Sequence, residues 1–180
     1  MLFRSIGRSA ARFDTKKLDS LNGHYIREMD DAALTAEMVA FAERQNPALR
    51  LDDAARQRLR AAMPMLKTRA KTLIELTEKA EFLFTEGARA PDAAALALLT
   101  PEARARMGRL SAALSDGTWD AHALEERARA FAEREGVKLG DIAQPLRAAL
   151  TGRAASPPIF EVMAVLGPSE ALTRIRAHVD

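Results

Sequence analysis

The chain has 180 residues, 48% hydrophobic and 29% charged, and its 27 basic against 25 acidic side chains leave a net charge of only +2. That balance excludes both a disordered polyelectrolyte and a histone-like basic protein, so any nucleic-acid binding must come from a local patch. The absence of cysteine excludes disulfides and thiolate metal sites, no run of about 18 apolar residues offers a membrane span, and 5% aromatic content argues against a base-stacking platform.

Alanine, leucine, arginine and glutamate dominate and are strong helix formers, which predicts an all-α fold. Residues 1–13 read as a connector carrying Arg4, Arg8 and Arg12, with an apolar stretch too short for a secretory signal core. Its acid-free, Arg- and Ser-rich composition leaves an organellar transit segment as the alternative to a cytoplasmic protein. Asp14 is placed to cap a first helix with Leu18, Leu21, Tyr25 and Met29 on one face, and Gly23 inside it points to a close approach or a break. Asp30 and Asp31 can cap the next helix, with Leu34, Met38 and Phe41 inward and Pro47 at its end. Asp52 starts a third, carrying Ala55, Leu59 and Met63, which Pro64 kinks or separates from the next segment. A long helix is then expected from Leu66 to Phe84, closed by Gly87.

Pro91-Asp92 marks the strongest domain boundary. Asp92 caps a short Ala/Leu helix, and Thr100-Pro101-Glu102 sets a cap with proline at the first helical position. That helix carries Met107, Leu110 and Leu114 and stops at Asp116-Gly117. Thr118 is expected to cap a helix holding Trp119, Leu124, Ala128 and Phe131, closed by Gly136. A helix from about Leu139 to Leu150 contains Pro145. After Thr151-Gly152, Ser156-Pro157 opens a helix with Ile159, Val162, Met163 and Leu166, which Gly167-Pro168 ends, and Ser169 caps a last one with Leu172 and Ile175.

No catalytic constellation emerges. His24, His122 and His178 have no ligand-like spacing, and metal-protease, dinucleotide and phosphate-loop patterns are missing. The carboxylates sit where caps and solvated helix faces use them. Trp119 reads as core more than as a base-stacking surface, and His24 as a partly exposed structural histidine. Two basic groups have a functional reading. Lys67 and Lys71 share a helix face from which Arg69 is displaced, which suits either a solvated surface or base and phosphate contact by a planar guanidinium. Arg147 and Arg153 flank a turn stiffened by Ser156-Pro157-Pro158; it either connects two helices or receives unpaired bases.

Three segments carry a more specific signal. The first is Arg12-Phe13-Asp14, Lys17-Leu18 and Leu21-Asn22-Gly23-His24-Tyr25-Ile26-Arg27. The second is Lys71-Thr72-Leu73 with Glu78-Lys79-Ala80-Glu81-Phe82-Leu83-Phe84. The third is Val137-Lys138-Leu139-Gly140, Gln144-Pro145-Leu146-Arg147-Ala148-Ala149-Leu150-Thr151-Gly152, Ser156-Pro157 and Phe160-Glu161-Val162-Met163. In order and spacing they resemble the C-terminal, anticodon-binding region of bacterial-type glutamyl-tRNA synthetases, a class I aminoacyl-tRNA synthetase family, over essentially the whole chain. Ser20, His24 and Pro158 depart from common family residues.

The resemblance implies two consecutive helical-bundle subdomains: a connector and first helix over 1–29 on the junction or stem-contact side, one subdomain over 30–91 and a second over 92–180. It implies binding of the glutamate tRNA anticodon loop. Arg69 matches the arginine that reads the third anticodon letter and so separates glutamate from glutamine tRNA. Arg147, Ser156, Pro157 and Ile159 match the segment around the other anticodon bases, and Lys17, Asn22 and His24 match a region near the tRNA stem or the junction. Lys67, Lys71 and Arg153 are added as backbone-contact candidates. Neither ATP-binding signature of the family occurs in the sequence. The expectation is therefore a monomeric, cytoplasmic, non-catalytic piece without cofactor or metal, whose parent enzyme would use ATP and magnesium and would supply the catalytic domain as a partner. The competing reading from another class is a helical module that binds a protein partner through an exposed apolar groove.

Overall fold

A computed structural model describes residues 15–179, so the connector arginines and the Asp14 cap lie outside the described residues. Among the described residues every regular element is helical: α1 (Thr15–Glu28), α2 (Asp31–Gln45), α3 (Asp53–Lys67), α4 (Leu73–Ala80) followed by a 3-10 turn (Glu81–Leu83), α5 (Ala93–Leu96), α6 (Pro101–Ala113), α7 (Ala121–Glu135), α8 (Gly140–Thr151) and α9 (Ile159–Arg176).

The caps are those of helices that begin on a short polar side chain. The Asp30 carboxylate accepts the amides of Ala32 and Ala33, Asp52 that of Ala55 at 2.7 Å, Asp92 that of Ala95, and the Thr100 hydroxyl that of Ala103 ahead of Pro101. Gly136 and Gly152 end α7 and α8 at φ 67° and 70°, where a side chain would be strained. Gly23 is a close approach, not a break. α1 runs through it unbroken, and a Cβ there would lie 3.4 Å from Lys71 Cγ and 3.5 Å from its Cα.

Three expectations are corrected. The long helix over 66–84 is two elements. Pro64 lies inside α3, which continues past it to Lys67 despite the forfeited hydrogen bond to the Arg60 carbonyl, and the chain breaks instead at 68–71. Thr72 then caps α4 by accepting the Glu75 amide at 3.1 Å, while the Glu75 carboxylate reaches back to the Lys71 amide at 2.9 Å. Lys67 and Lys71 consequently share no helix face. Helix α7 starts two residues later than expected, on the Asp120 cap instead of Thr118, which leaves Trp119 half-buried before it with its indole N–H donating to the Met163 carbonyl at 2.9 Å. Within α9 two helices meet at non-helical Gly167 (φ 77°, ψ 167°), as expected, but Ser169 lies inside the second and does not cap it.

α2 packs on α3, α3 on α9, and α9 also touches α6, α7 and α8. The core is continuous from Leu34, Met38 and Leu59 through Leu76 and Leu83 to Leu110, Leu124, Leu146, Val162 and Ile175, so it crosses Pro91-Asp92 without a gap. The outward face of α1 is the exception. Only Gly23 and Ile26 of that helix are buried, while Leu18, Leu21, Tyr25 and Met29, which share the face read from the sequence, are exposed together with Ile74 of α4.

Candidate nucleic-acid interface

The break between α3 and α4 and the turn between α8 and α9 stand opposite each other. Between them lies a cleft of about 350 Å³. One wall holds Arg69, Glu78, Lys79, Glu81 and Phe82, and the other holds Thr151, Arg153, Ala155, Ser156 and Pro157. The folding of the α8–α9 turn is local. The Thr151 hydroxyl donates back to the Arg147 carbonyl at 2.8 Å and accepts the Arg153 amide at 3.3 Å. Left-handed Gly152 lets the chain pass so close to the other wall that a Cβ there would meet the Ala90 carbonyl at 3.0 Å, and the Asp92 amide donates to the Gly152 carbonyl at 2.9 Å.

The cations of the cleft are not equivalent. Arg69 is exposed in the α3–α4 turn, and among the described residues its guanidinium has no carboxylate or carbonyl partner. Arg153 is exposed but engaged: it lies 3.2 Å from Glu81 and 3.7 Å from Asp92. Glu81 also takes Arg89 at 2.9 Å. Burial acts to raise the Glu81 carboxyl, but Arg89 and Arg153 together hold it below the usual carboxylate range. Arg147 is half-buried behind Ser156. Its Nε–H donates to Ser156 Oγ at 2.9 Å and its Nη1 to Gln144 Oε1 at 3.0 Å, and Ser156 Oγ passes a hydrogen bond to the Pro157 carbonyl. Burial, with Arg69's like charge second, pushes the Arg147 guanidinium below its ordinary value. The two like charges are thus near enough to act on each other.

The remaining candidates separate. Pro157 is buried in the cleft wall and Ile159 is 3% exposed at the first position of α9, so what Ile159 gives the turn is its position, not a contact surface. Lys67 is drawn into the fold: its ammonium lies 2.7 Å from Asp31 and donates to the Met29 carbonyl at 3.1 Å. Lys71 is exposed, and its stem packs on Gly23 of α1. Lys17, Asn22 and His24 sit on α1, away from the cleft lining. Lys17 and His24 are exposed, with the His24 ring 5.8 Å from that of Tyr25, and Asn22 edges an apolar groove with Tyr25, Met29 and Ile74. Sequence reasoning took Lys79, Glu81 and Phe82 only as part of a motif.

An all-helical frame that opens a cationic cleft between two inter-helix turns defines a helical recognition module. Its family is settled by comparison: residues 33–179 match the model described as the anticodon binding domain, and the chain belongs to that family. It is 54% identical, over 95% of its length, to a glutamate–tRNA ligase of Rhodopseudomonas palustris, and 54% identical to a glutamate–tRNA ligase of a Bradyrhizobium species. The chain spans about a third of the length of these curated relatives, 37% in each case. Its fold matches a crystal structure of a glutamate tRNA ligase from Elizabethkingia meningosepticum with a TM-score of 0.77 at 24% identity, covering 93% of this chain and 32% of that one. No described helix is long and apolar enough to cross a membrane.

Proposed function

We propose that the chain is the anticodon-reading part of a glutamate–tRNA ligase and that the cleft between Arg69 and the α8–α9 turn receives the anticodon loop of glutamate tRNA. The observation that carries this is the placement of one unpaired arginine, Arg69, opposite a turn pre-shaped by Arg147 and Ser156. Single-stranded loops expose their base edges, and a rigid frame can read them at no folding cost. On its Watson–Crick edge cytosine presents two adjacent acceptors, O2 and N3, to the donor-only guanidinium of Arg69, whereas guanine presents the N1–H and N2–H donors at the matching positions of that edge. A carboxamide both donates and accepts, so glutamine at position 69 would accept either base. Lys79, Lys71 and the remaining basic surface supply phosphate contacts. In this reading the chain acts as a monomer in the cytoplasm without cofactor or metal. ATP and magnesium serve a catalytic domain that belongs to the longer protein, and the side of α1 with Lys17, Asn22 and His24 faces that domain or the tRNA stem.

The test is titration of anticodon stem-loop hairpins that differ only in cytosine or guanine at the third letter. Arg69→Gln should reduce the cytosine preference by about one order of magnitude, within the roughly 1–3 kcal/mol of a bidentate base contact. An unchanged ratio removes Arg69 from the reading site. A second reading, a protein-binding module, is favoured by the exposed apolar face of α1. Mobility shifts with glutamate tRNA at low and high salt separate the two, since phosphate-dominated binding fades with salt and a protein module gives no shift.

A further inference from the structure

The cleft has two walls that come from distant parts of the chain, and something must hold them at one separation. Directly behind it lies Arg174, on the second arm of α9, 1% exposed. A guanidinium carries five N–H donors in a fixed plane, and four find acceptors here. Nη1 donates to the Phe82 carbonyl at 2.9 Å and to the Leu150 carbonyl at 2.8 Å, Nη2 to the Thr85 carbonyl at 2.6 Å, and Nε to Glu170 at 2.6 Å. Glu170 in turn accepts the Gly87 amide at 2.8 Å. Phe82 and Thr85 belong to the wall that follows α4. Leu150 is the next-to-last residue of α8, one before Thr151 in the opposite wall. One nitrogen thus joins the backbones of both walls, each within a residue of a group that lines the cleft.

We propose that Arg174, aligned by Glu170, is a positioning residue that sets the separation of the two cleft walls, so that it governs tRNA reading without touching RNA. The inference rests on the anticodon reading for its RNA consequence but not for its geometric one. The physical reason is the fork. A lysine ammonium at the same place keeps the charge but cannot reach carbonyls on both walls and the Glu170 carboxylate in one plane. The polar ties left between the walls would then be the Asp92 amide on the Gly152 carbonyl and the outer pairs of Arg153 with Glu81 and Asp92, which solvent weakens.

The chain has no cysteine, so Lys79→Cys with Ala155→Cys gives a unique pair of spin-label sites, one on each wall. The distance distribution between them is measured on the full chain without RNA, and hairpin affinity is measured on the unlabelled chain. Arg174→Lys should keep the helical circular-dichroism signal, broaden the distance distribution, and weaken the cytosine hairpin about fivefold to tenfold, the lower part of what a bidentate base contact is worth. Glu170→Gln, which retains a carbonyl acceptor, should stay close to the parent in both. A folded Arg174→Lys chain with an unbroadened distance overturns the proposal. Should that variant lose its helical signal, Glu170→Ala carries the test, because it removes only the acceptor of Nε and of the Gly87 amide; an unchanged distance there overturns the proposal as well. If the parent chain binds no hairpin, the anticodon reading falls, while the label distances still decide what Arg174 does.

Discussion

Arg69 and Arg153 face the same cleft from opposite walls, and the fold treats them in opposite ways. Arg69 sits in a four-residue break where no carboxylate reaches it among the described residues, so its full donor set is available to a ligand. Arg153 stands between Glu81 and Asp92 and closes one wall against the other. Two arginines both put forward as RNA contacts thus divide into one without a carboxylate partner among the described residues and one held between two carboxylates. Exposure does not separate them, since both are exposed; their partners do.

Variants can break or sharpen that contrast. The largest effect is expected at Arg147, whose guanidinium shapes the turn from behind Ser156. Arg147→Ala leaves Ser156 and Gln144 without their donor and should weaken binding of the whole anticodon loop by about 2–3 kcal/mol, whichever base stands at the third letter. Isothermal titration with both hairpins checks this, and equal affinity for variant and parent would take Arg147 out of the site. Gly152→Ala comes next. It places a side chain at φ 70° and 3.0 Å from the Ala90 carbonyl, and should lower stability by about 1–3 kcal/mol in thermal or urea melts. A neutral result would mean that the two walls are held less tightly there than their hydrogen bond indicates.

Smallest is the Arg153–Glu81 pair. Arg153→Ala should cost less than about 1 kcal/mol of stability, as exposed pairs do, and should leave the cytosine preference intact. A loss of preference equal to that of Arg69→Gln would erase the distinction between the two arginines. The pair also carries a pH signature. The folded-state value of Glu81 is depressed, so its contribution is fully present above the ordinary carboxylate value of about 4.5 and disappears as the pH falls through the lower folded value. Melting curves of the parent and Glu81→Gln should therefore differ at neutral pH and converge in acid; a difference that does not shrink as the pH falls assigns the effect elsewhere.

Much of the fold was legible because it is written in short-range chemistry. Asp30, Asp52, Asp92 and Thr100 cap helices where a polar side chain precedes an apolar period, and Gly136 and Gly152 end them. The reading failed where two local signals competed. Pro64 suggested a break that the end of α3 absorbs, and the real break was marked by Thr72 with Glu75, a weaker pattern of the same kind. It failed again at α1, whose apolar stripe is real but stays uncovered among the described residues, because the helix docks through Gly23 and Ile26 instead.

For the site, motif resemblance picked out Arg69, Arg147 and Ser156; the fold puts Arg69 and Ser156 on opposite walls of one cleft and Arg147 behind Ser156. It could not tell that Lys67 is held by Asp31, that Ile159 is core, or that Arg174 joins the walls. What the sequence by itself determined is an all-helical chain, the order of its helices and the types of residue in the turns between them, since each depends on neighbours a few positions away. Which cations remain free, which face of α1 stays open and how far apart the cleft walls stand were decided by the tertiary structure. Those properties depend on which carboxylates and carbonyls from remote segments arrive within about 3 Å of a given donor, and no local pattern encodes that.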